Sequence, residues 1–188
     1  MGQYYNVVIL DSHSNVIRAW MCAHSYNYGV KLVEHCSANS EFVSTVESQI
    51  CPEGAFYRCA IVWAGDYADV EAAPSGTAVP SGTTNLYSMI DMHPHSKKGI
   101  RPTVRDMAAY PYIVNWTKRL YVDKTKEHMI HPLPLLTAEG NGRGGGDYYG
   151  TSMNLVGTWA RDELSVEAAI PEGFDFLNCG FKLEWSPT

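Results

Sequence analysis

Short runs of β-branched and aromatic residues recur along the chain, and helical segments do not alternate with them. Residues 4–10 and 16–22 are two such runs, and the Ser-His-Ser-Asn sequence at 12–15 between them has the composition of a turn, so we expect a β-hairpin. A doubly wound α/β fold requires strands and helices in alternation. The sequence therefore predicts an α+β fold with a mostly antiparallel sheet and two or three short helices.

Further strands are predicted downstream of this hairpin. Residues 110–125 alternate about a polar centre at Lys118 and Arg119, which predicts two antiparallel strands. The segment at 132–139 begins with two prolines, which suit the first residues of a strand or an edge strand. The other predicted strands are residues 56–63, 155–159, 164–168 and 181–185.

Apolar residues at helical spacing mark the clearest helix, over residues 40–51. Asn39 or Ser40 is available as its N-cap, and Pro52 follows its end. The apolar positions of this helix are Phe42, Val43, Val46 and Ile50. A second, short helix is predicted at Leu86, Met89 and Ile90.

The composition is that of one globular domain spanning residues 1–188, with 45% hydrophobic and 18% charged residues. A chain of this length buries about 70% of its unfolded surface, so its core needs no metal or disulfide. The five cysteines include no Cys-x-x-Cys pair and predict neither a zinc finger nor a disulfide framework. Residues 72–84, in which Pro-Ser-Gly-Thr occurs twice, are expected to form a mobile loop within the domain.

Charge and the first residues limit the partners that we expect. The net charge is −6 and the 14 Lys and Arg residues are scattered, which argues against a nucleic-acid partner. The apolar run near the N-terminus is short, no basic segment precedes it and no cleavage site follows it, so we expect no signal peptide, no membrane partner and a cytoplasmic location. A few local donors could still bind a small anion.

The most unusual segment is the glycine-rich loop at 139–150, in which GNGRGGGDYYG places six glycines in eleven positions. Residues 140–145 match G-x-G-x-x-G, but a dinucleotide fold requires a helix directly after the glycines, and Gly-Asp-Tyr-Tyr-Gly is a poor first turn. A Walker A loop is excluded because Gly146 and Asp147 stand where Lys and Ser or Thr are required. The match to G-x-G-x-x-G is therefore attributed to chance.

The loop nevertheless has the chemistry of a ligand cradle. Consecutive glycines let backbone N–H groups converge on an anion or a planar ring, and Arg143 adds a fork of donors that Asp147 can orient. The alternative is a purely structural connection in which these two side chains pair with each other. The ligand contacts predicted in the loop are Asn141, Gly142, Arg143, Gly144, Gly145, Gly146, Asp147 and Tyr148.

Two short repeats suggest where the other wall of the site lies. Gly-Asp-Tyr occurs at 65–67 and at 146–148, and Trp-Ala-x-Asp occurs at 63–66 and at 159–162. Adjacent strand ends would bring carboxylates and aromatic rings to one rim, as a pocket for a nucleobase or sugar requires. The alternative is that the tryptophans belong to the core and the aspartates to turns. The residues concerned are Trp63, Asp66, Tyr67, Asp69, Asp147, Tyr148, Trp159 and Asp162.

If the protein is a hydrolase or transferase, the acid/base candidates are Asp66, Glu139 and Asp147, with His131 behind them. The histidines at His93, His95, His128 and His131 are interpreted as exposed turn residues, since Pro94 disfavours a regular strand that would direct two imidazoles at one metal. We therefore predict no metal site, and the sequence identifies no cofactor.

Several segments resemble a family of small uncharacterised proteins of bacteria, phages and some protists. The resemblance covers most of the chain. It implies one compact domain with a special role for the glycine-rich loop, and it implies no reaction type. A phage member of the family would sequester or degrade a host nucleotide signal. The segments are MGQYY at 1–5, GVKLVEH at 29–35, WAGDYAD at 63–69, PLPLLTAEGNGRGGGDYYG at 132–150 and VGTWARDELSVE at 156–167.

Three functions are consistent with these observations. The first is a binding protein for an anionic or nucleotide-like small molecule at the glycine-rich loop, and the second is a hydrolase or transferase acting on such a ligand. The third is a self-assembling structural protein, because the chain has 12 Tyr and 5 Trp residues and both types are enriched at subunit interfaces; a homo-oligomer is then expected.

Overall fold

The computed structural model of the chain describes residues 3–14, 16–37, 40–71, 84–91, 99–103, 105–127, 130–140 and 146–184. In this part the chain forms eight strands and four α-helices. The strands are β1 Tyr5–Leu10, β2 Ile17–Met21, β3 Cys59–Gly65, β4 Tyr112–Asn115, β5 Leu120–Asp123, β6 Ala138–Glu139, β7 Glu163–Glu167 and β8 Asp175–Phe176. The helices are α1 Leu32–His35, α2 Glu41–Ile50, α3 Leu86–Asp91 and α4 Pro132–Leu136.

The strands form one mixed sheet with the order β2-β1-β3-β7-β4-β5-β8, and β6 pairs with β3 beside this path. Of the seven strand pairings in the described residues, five are antiparallel, whereas β3 with β6 and β5 with β8 are parallel. The prediction of an α+β fold with a mostly antiparallel sheet is therefore confirmed. None of the helices in the described ranges is long and apolar enough to cross a lipid bilayer.

Apolar side chains cover both faces of the central strands. Ile61 and Trp63 of β3 belong to the larger core, which also contains the apolar residues of α2 and α4. Ala60, Val62 and Ala64 point to the opposite face because successive strand residues alternate, and there they join a smaller core under α3. Since both faces are buried, the ends of β3 are the places where it can present polar groups to solvent.

Local sequence signals predicted several elements correctly. The hairpin of β1 and β2 is present, with Val8 opposite Trp20, and the 40–51 prediction corresponds to α2, where Ser40 is the N-cap residue. The short helix near Leu86 is α3, and residues 110–125 form β4 and β5 in antiparallel register. The turn between β4 and β5 includes Arg119 at φ 56°.

Other strand predictions were wrong. Residues 132–136 form α4 rather than a strand, because Pro132 occupies the first turn, where a missing N–H costs nothing. The predicted strand at 155–159 instead begins with the last residue of a short 3-10 helix, Met153–Leu155, and continues as turns, and Trp159 N donates to Leu136 O at 2.7 Å. The strand predicted at 56–63 begins only at Cys59. In the 181–185 segment a single bridge joins Leu183 to Gly150.

Candidate functional site

Three chain segments meet at the carboxyl end of β3. Tyr5 of β1 lies opposite Gly65, and Glu139 of β6 lies beside Ala64 in parallel register. The glycine-rich segment at 140–146, called the glycine block below, therefore begins next to the residues that follow β3. We use the term rim for the polar residues of this region, which are Gln3, Tyr5, Asp66, Glu139 and Asp147.

The Gln3 side chain packs against two glycines beside the rim, Gly65 and Gly140. A Cβ at Gly65 would lie 2.7 Å from Gln3 Nε2, and a Cβ at Gly140 would overlap the same carboxamide. Gln3 is only 7% exposed, and among the described residues its Nε2 has no hydrogen-bond partner. A buried donor without a partner costs about 1–3 kcal/mol, so a ligand acceptor at this position would remove an existing penalty.

Tyr5 links the two Gly-Asp-Tyr segments. Its hydroxyl donates to Gln3 Oε1 at 2.9 Å, and its ring lies 2.8 Å from the position of a Cβ at Gly146, which has φ +58°. Burial, together with the negative charges of Asp147 and Asp66, raises the pKa of the Tyr5 hydroxyl. The phenol is therefore neutral at physiological pH, and both carboxylates act on it electrostatically.

Asp66 and Asp147 are held in the same way. Oδ1 of Asp66 accepts from Tyr4 N at 3.0 Å, and Oδ1 of Asp147 accepts from Val33 N at 3.1 Å. In the described part of the chain no hydrogen bond reaches Oδ2 of either residue. Each carboxylate is thus oriented by a backbone N–H and keeps one oxygen that can accept from a ligand hydroxyl or amine.

Glu139 has a different environment, because Arg161 binds both of its carboxylate oxygens, at 2.8 and 2.9 Å. The same guanidinium also bonds Glu71. Burial opposes the charge of Arg161, but these two carboxylates raise its pKa. Glu139 is therefore engaged in an ion pair, and as a general base it is less suited than Asp66 or Asp147.

The two tryptophans predicted to contact a ligand lie in the core. Trp63 and Trp159 are 0% and 1% exposed. Trp63 Nε1 donates to His35 Nδ1, and Trp159 is part of the same apolar cluster. Their rings consequently offer no free face to a ligand at the surface.

The tyrosines of the two Gly-Asp-Tyr segments differ from each other. Tyr148 is buried, and its hydroxyl bonds Thr151 O at 2.6 Å and Lys182 O at 3.2 Å, which makes it a structural residue. Tyr67 is 48% exposed in the turn after β3. Of these two rings, only Tyr67 presents a face on which a planar ligand could stack.

Asp162 is remote from the rim. It follows Arg161 near the start of β3, where Glu163 lies opposite Ala60, and it accepts from Asn115 Nδ2 at 2.7 Å and from Lys118 Nζ. Ala60 and Asp66 are six residues apart along an extended chain, which corresponds to about 20 Å. The repeat of Trp-Ala-x-Asp therefore does not bring its two aspartates together.

His131 is buried rather than an exposed turn residue, so that interpretation was wrong. It is the N-cap residue of α4, and its ring bonds Glu47 at 3.0 Å. Its side chain is buried because α4 begins at the next residue and packs into the main core. The predictions for Asn141, Gly142, Arg143, Gly144 and Gly145, and for His93, His95 and His128, lie outside the described residues.

Sequence reasoning missed Gln3, Tyr5 and Arg161. Gln3 and Tyr5 looked like ordinary residues at the start of a strand, and only the long-range pairing of β3 with β1 and β6 brings them to the rim. Arg161 stands inside the second Trp-Ala-x-Asp repeat, and its pairing with Glu139 and Glu71 depends on long-range packing that the repeat does not encode. Among the described residues no three His, Cys, Asp or Glu side chains converge as metal ligands would.

Comparisons with family models, with curated proteins and with solved structures find no match to this chain. The resemblance to the proteins that begin with MGQYY stays a prediction, and the geometry of the rim is the basis for a functional proposal.

Proposed function

We propose that the protein is a cytoplasmic binding protein whose rim takes a nucleoside-like or nucleotide-like small molecule. The observation that carries the proposal is the matched anchoring of Asp66 and Asp147, each held by a backbone N–H through Oδ1 alone. Two preoriented acceptors suit the vicinal hydroxyls of a ribose or the amino group of a base. In a phage member of the resembled family, this binding would sequester a host nucleotide signal.

Other features of the rim support the same class of ligand. The exposed ring of Tyr67 follows Asp66 directly and provides a stacking surface. The unpartnered Gln3 Nε2 is a donor for a base or sugar acceptor. Gly140 and Gly146, which flank residues 141–145 in the sequence, are closely packed against Gln3 and Tyr5.

Charge restricts where a phosphate could lie. Arg161 neutralises part of the charge of Glu139 and Glu71, whereas Asp66 and Asp147 have no ion-pair partner among the described residues. These two carboxylates repel a phosphate group. We therefore expect hydroxyl and amino groups at the aspartates, and the phosphates at the backbone N–H groups of the glycine block and at Arg143.

The test is calorimetric titration with adenosine, guanosine, their monophosphates and ATP. Asp66→Asn and Asp147→Asn are each expected to weaken nucleoside binding about tenfold, which corresponds to one charge-assisted hydrogen bond. Arg143→Gln is expected to weaken binding of the nucleotides while leaving nucleoside affinity unchanged. Asp175→Asn is the matched control, because Asp175 is exposed on β8 at the far edge of the sheet.

Two results would overturn the proposal. One is that none of these compounds binds at millimolar concentration. The other is that they bind equally to the Asp66→Asn, Asp147→Asn and Asp175→Asn variants. Chromatography of the recovered ligand after incubation then tests catalysis, since a hydrolase would return a shortened product.

A further inference from the structure

A cavity of about 430 Å³ lies beside α2 and shares no residue with the rim. Its wall combines side chains of α2 with those of Arg105, Asp106, Met107, Ala108, Pro111, Lys124, Thr125, Glu127, His131 and Pro132. The volume falls within the range of small-molecule sites, about 300–1,000 Å³. The ionisable groups that line it are Glu41, Glu47, Arg105, Asp106, Lys124, Glu127 and His131.

A buried ionic cluster forms the floor of this cavity. Lys124 Nζ donates to Glu47 Oε1 at 2.6 Å, and His131 Nε2 lies 3.0 Å from the same oxygen. Leu133 N donates to His131 Nδ1 at 3.3 Å, so Nδ1 is unprotonated and Nε2 carries the hydrogen that Glu47 accepts. Burial acts to raise the pKa of the Glu47 carboxyl, but His131 and Lys124 prevail and lower it. Glu47 is therefore ionised.

Glu47 keeps one oxygen without a partner. Both donors share Oε1, and no hydrogen bond reaches Oε2 within the described ranges. The Glu47 side chain is only 4% exposed, and that exposure is to the cavity that it lines. A carboxylate oxygen that lines a cavity and lacks a donor is a specific acceptor for a ligand.

The other charges of the wall set the sign of that ligand. Glu41 and Glu127 are half-buried, and each has one oxygen bonded by a neutral donor, from Tyr28 and Gly180 respectively. Asp106 adds a third carboxylate and is exposed. Lys124 is already paired with Glu47, and Arg105 is exposed. Carboxylates thus outnumber the cations of the wall, which favours a cationic ligand and disfavours an anion.

Part of the remaining wall is apolar. Met107, Pro111 and Pro132 contribute to it, and Met107 also packs against the main core. Such a wall fits a short hydrocarbon chain, so a ligand with one charged end and one apolar end would satisfy both parts of the cavity.

We propose that this cavity binds a small organic ammonium ion, whose N–H groups donate to Glu47 Oε2 and to the carboxylates of Glu41 and Glu127. Its short apolar chain lies against Met107, Pro111 and Pro132. The site is independent of the rim, and the proposal does not rest on nucleotide binding there.

The test uses 3-methylbutan-1-amine, with 4-methylpentanoate and 3-methylbutan-1-ol as the anionic and neutral probes of similar shape. We expect only the amine to raise Tm and to show saturable calorimetric binding, which high salt weakens. Glu41→Gln and Glu127→Gln each remove one acceptor charge without disturbing the buried pair, and each is expected to weaken amine binding about tenfold. Glu172→Gln, at an exposed residue outside the cavity, is the matched control.

The site is overturned if the acid or the alcohol raises Tm as much as the amine does. It is also overturned if the amine binds equally to the Glu41→Gln, Glu127→Gln and Glu172→Gln variants. Asp147→Asn separates this site from the rim, because it is expected to leave amine affinity unchanged; a loss of amine binding in that variant would place the amine at the rim instead.

Discussion

Trp63 Nε1 donates a hydrogen bond to His35 Nδ1 over 3.2 Å in the main core. The other ring nitrogen of His35 lies 2.7 Å from Gly29 O, so it must carry the hydrogen. An indole N–H can only donate, which requires an unprotonated Nδ1. The fold thus selects one neutral tautomer of His35, and the imidazole stacks on Phe42 with ring centroids 4.5 Å apart.

This arrangement predicts acid sensitivity. Burial lowers the pKa of His35 below its ordinary value of 6.5, although the hydrogen bond to Gly29 opposes the shift. As the pH falls, the unfolded chain therefore takes up the proton first. The contribution of His35 to the free energy of unfolding is complete above pH 6.5 and is lost as the pH falls through the folded pKa, by at most about 1.4 kcal/mol per pH unit.

Urea unfolding between pH 7.5 and 5.0 measures this effect, with His35→Gln as the comparison, since a glutamine amide can accept from Trp63 and donate to Gly29. The wild-type protein should lose stability more steeply than the variant below pH 6.5. Other titrating groups are common to both proteins, so the difference isolates His35. Parallel curves would contradict the prediction.

The packing of Gln3 predicts a non-additive pair of substitutions. A Cβ at Gly140 would overlap the Gln3 carboxamide, and such overpacking costs about 1–3 kcal/mol. Gln3→Ala removes the obstructing atoms, so Gly140→Ala should cost much less in that background. Denaturant unfolding of the single and double variants gives the coupling energy directly.

Gly150→Ala is the control for this cycle. Its Cβ would overlap the backbone carbonyl oxygen of Lys182, which no side-chain truncation can remove. We therefore expect Gly150→Ala to destabilise the protein equally with Gln3 or Ala at position 3. If Gln3→Ala relieves neither substitution, Gln3 is not what requires glycine at position 140.

The parts of the fold that the sequence predicted are those with local causes. The turn at 12–15 and the alternation around Lys118 each specify a hairpin within some 20 residues, and the helical spacing from Phe42 to Ile50 specifies α2 by itself. The Pro-Leu-Pro segment at 132–134 was ambiguous, because proline suits both an edge strand and the first turn of a helix. In the folded protein all of α4 is buried, and this packing favours the helix.

The candidate site could be predicted from the sequence only in part, for a similar reason. The repeated Gly-Asp-Tyr indicated that Asp66 and Asp147 could be neighbours, and both act on Tyr5. Whether a tryptophan faces a ligand or the core depends on what packs against it, which the repeat of Trp-Ala-x-Asp does not encode. Likewise, Lys124 and His131 lie 77 and 84 positions after Glu47 in the chain, so no local pattern predicts that the three residues form a cluster.

Arg161 is expected to stabilise the end of β3 through its bidentate contacts with Glu139 and Glu71. Lysine cannot reproduce a planar fork of donors, so Arg161→Lys should lose much of the stabilisation despite its equal charge. Because the arginine side chain is 27% exposed, solvent screens the pairs, and we expect a loss of about 1–3 kcal/mol rather than the larger cost of a fully buried pair.

Guanidinium is unsuitable as the denaturant here because it is ionic, so urea titrations at low and high salt should be used for Arg161→Lys. Arg18→Lys serves as a control, since its contact with Asp11 is a single hydrogen bond at 3.2 Å on an exposed side chain. Equal losses for the two variants would show that the fork geometry at Arg161 contributes nothing beyond its charge.

The five cysteines are all free, and they differ in access: Cys22, Cys36, Cys51 and Cys179 are buried, whereas Cys59 at the start of β3 is half-buried. Burial raises the pKa of the Cys59 thiol, with Arg18 opposing the shift, so its thiolate is a minor species at pH 8. With a disulfide reagent at that pH, the native protein should lose one thiol slowly, before the other four. Cys59→Ser should abolish that phase, and urea should expose the remaining thiols together. A first phase that survives in Cys59→Ser would mean that one of the core elements opens more readily than the start of β3.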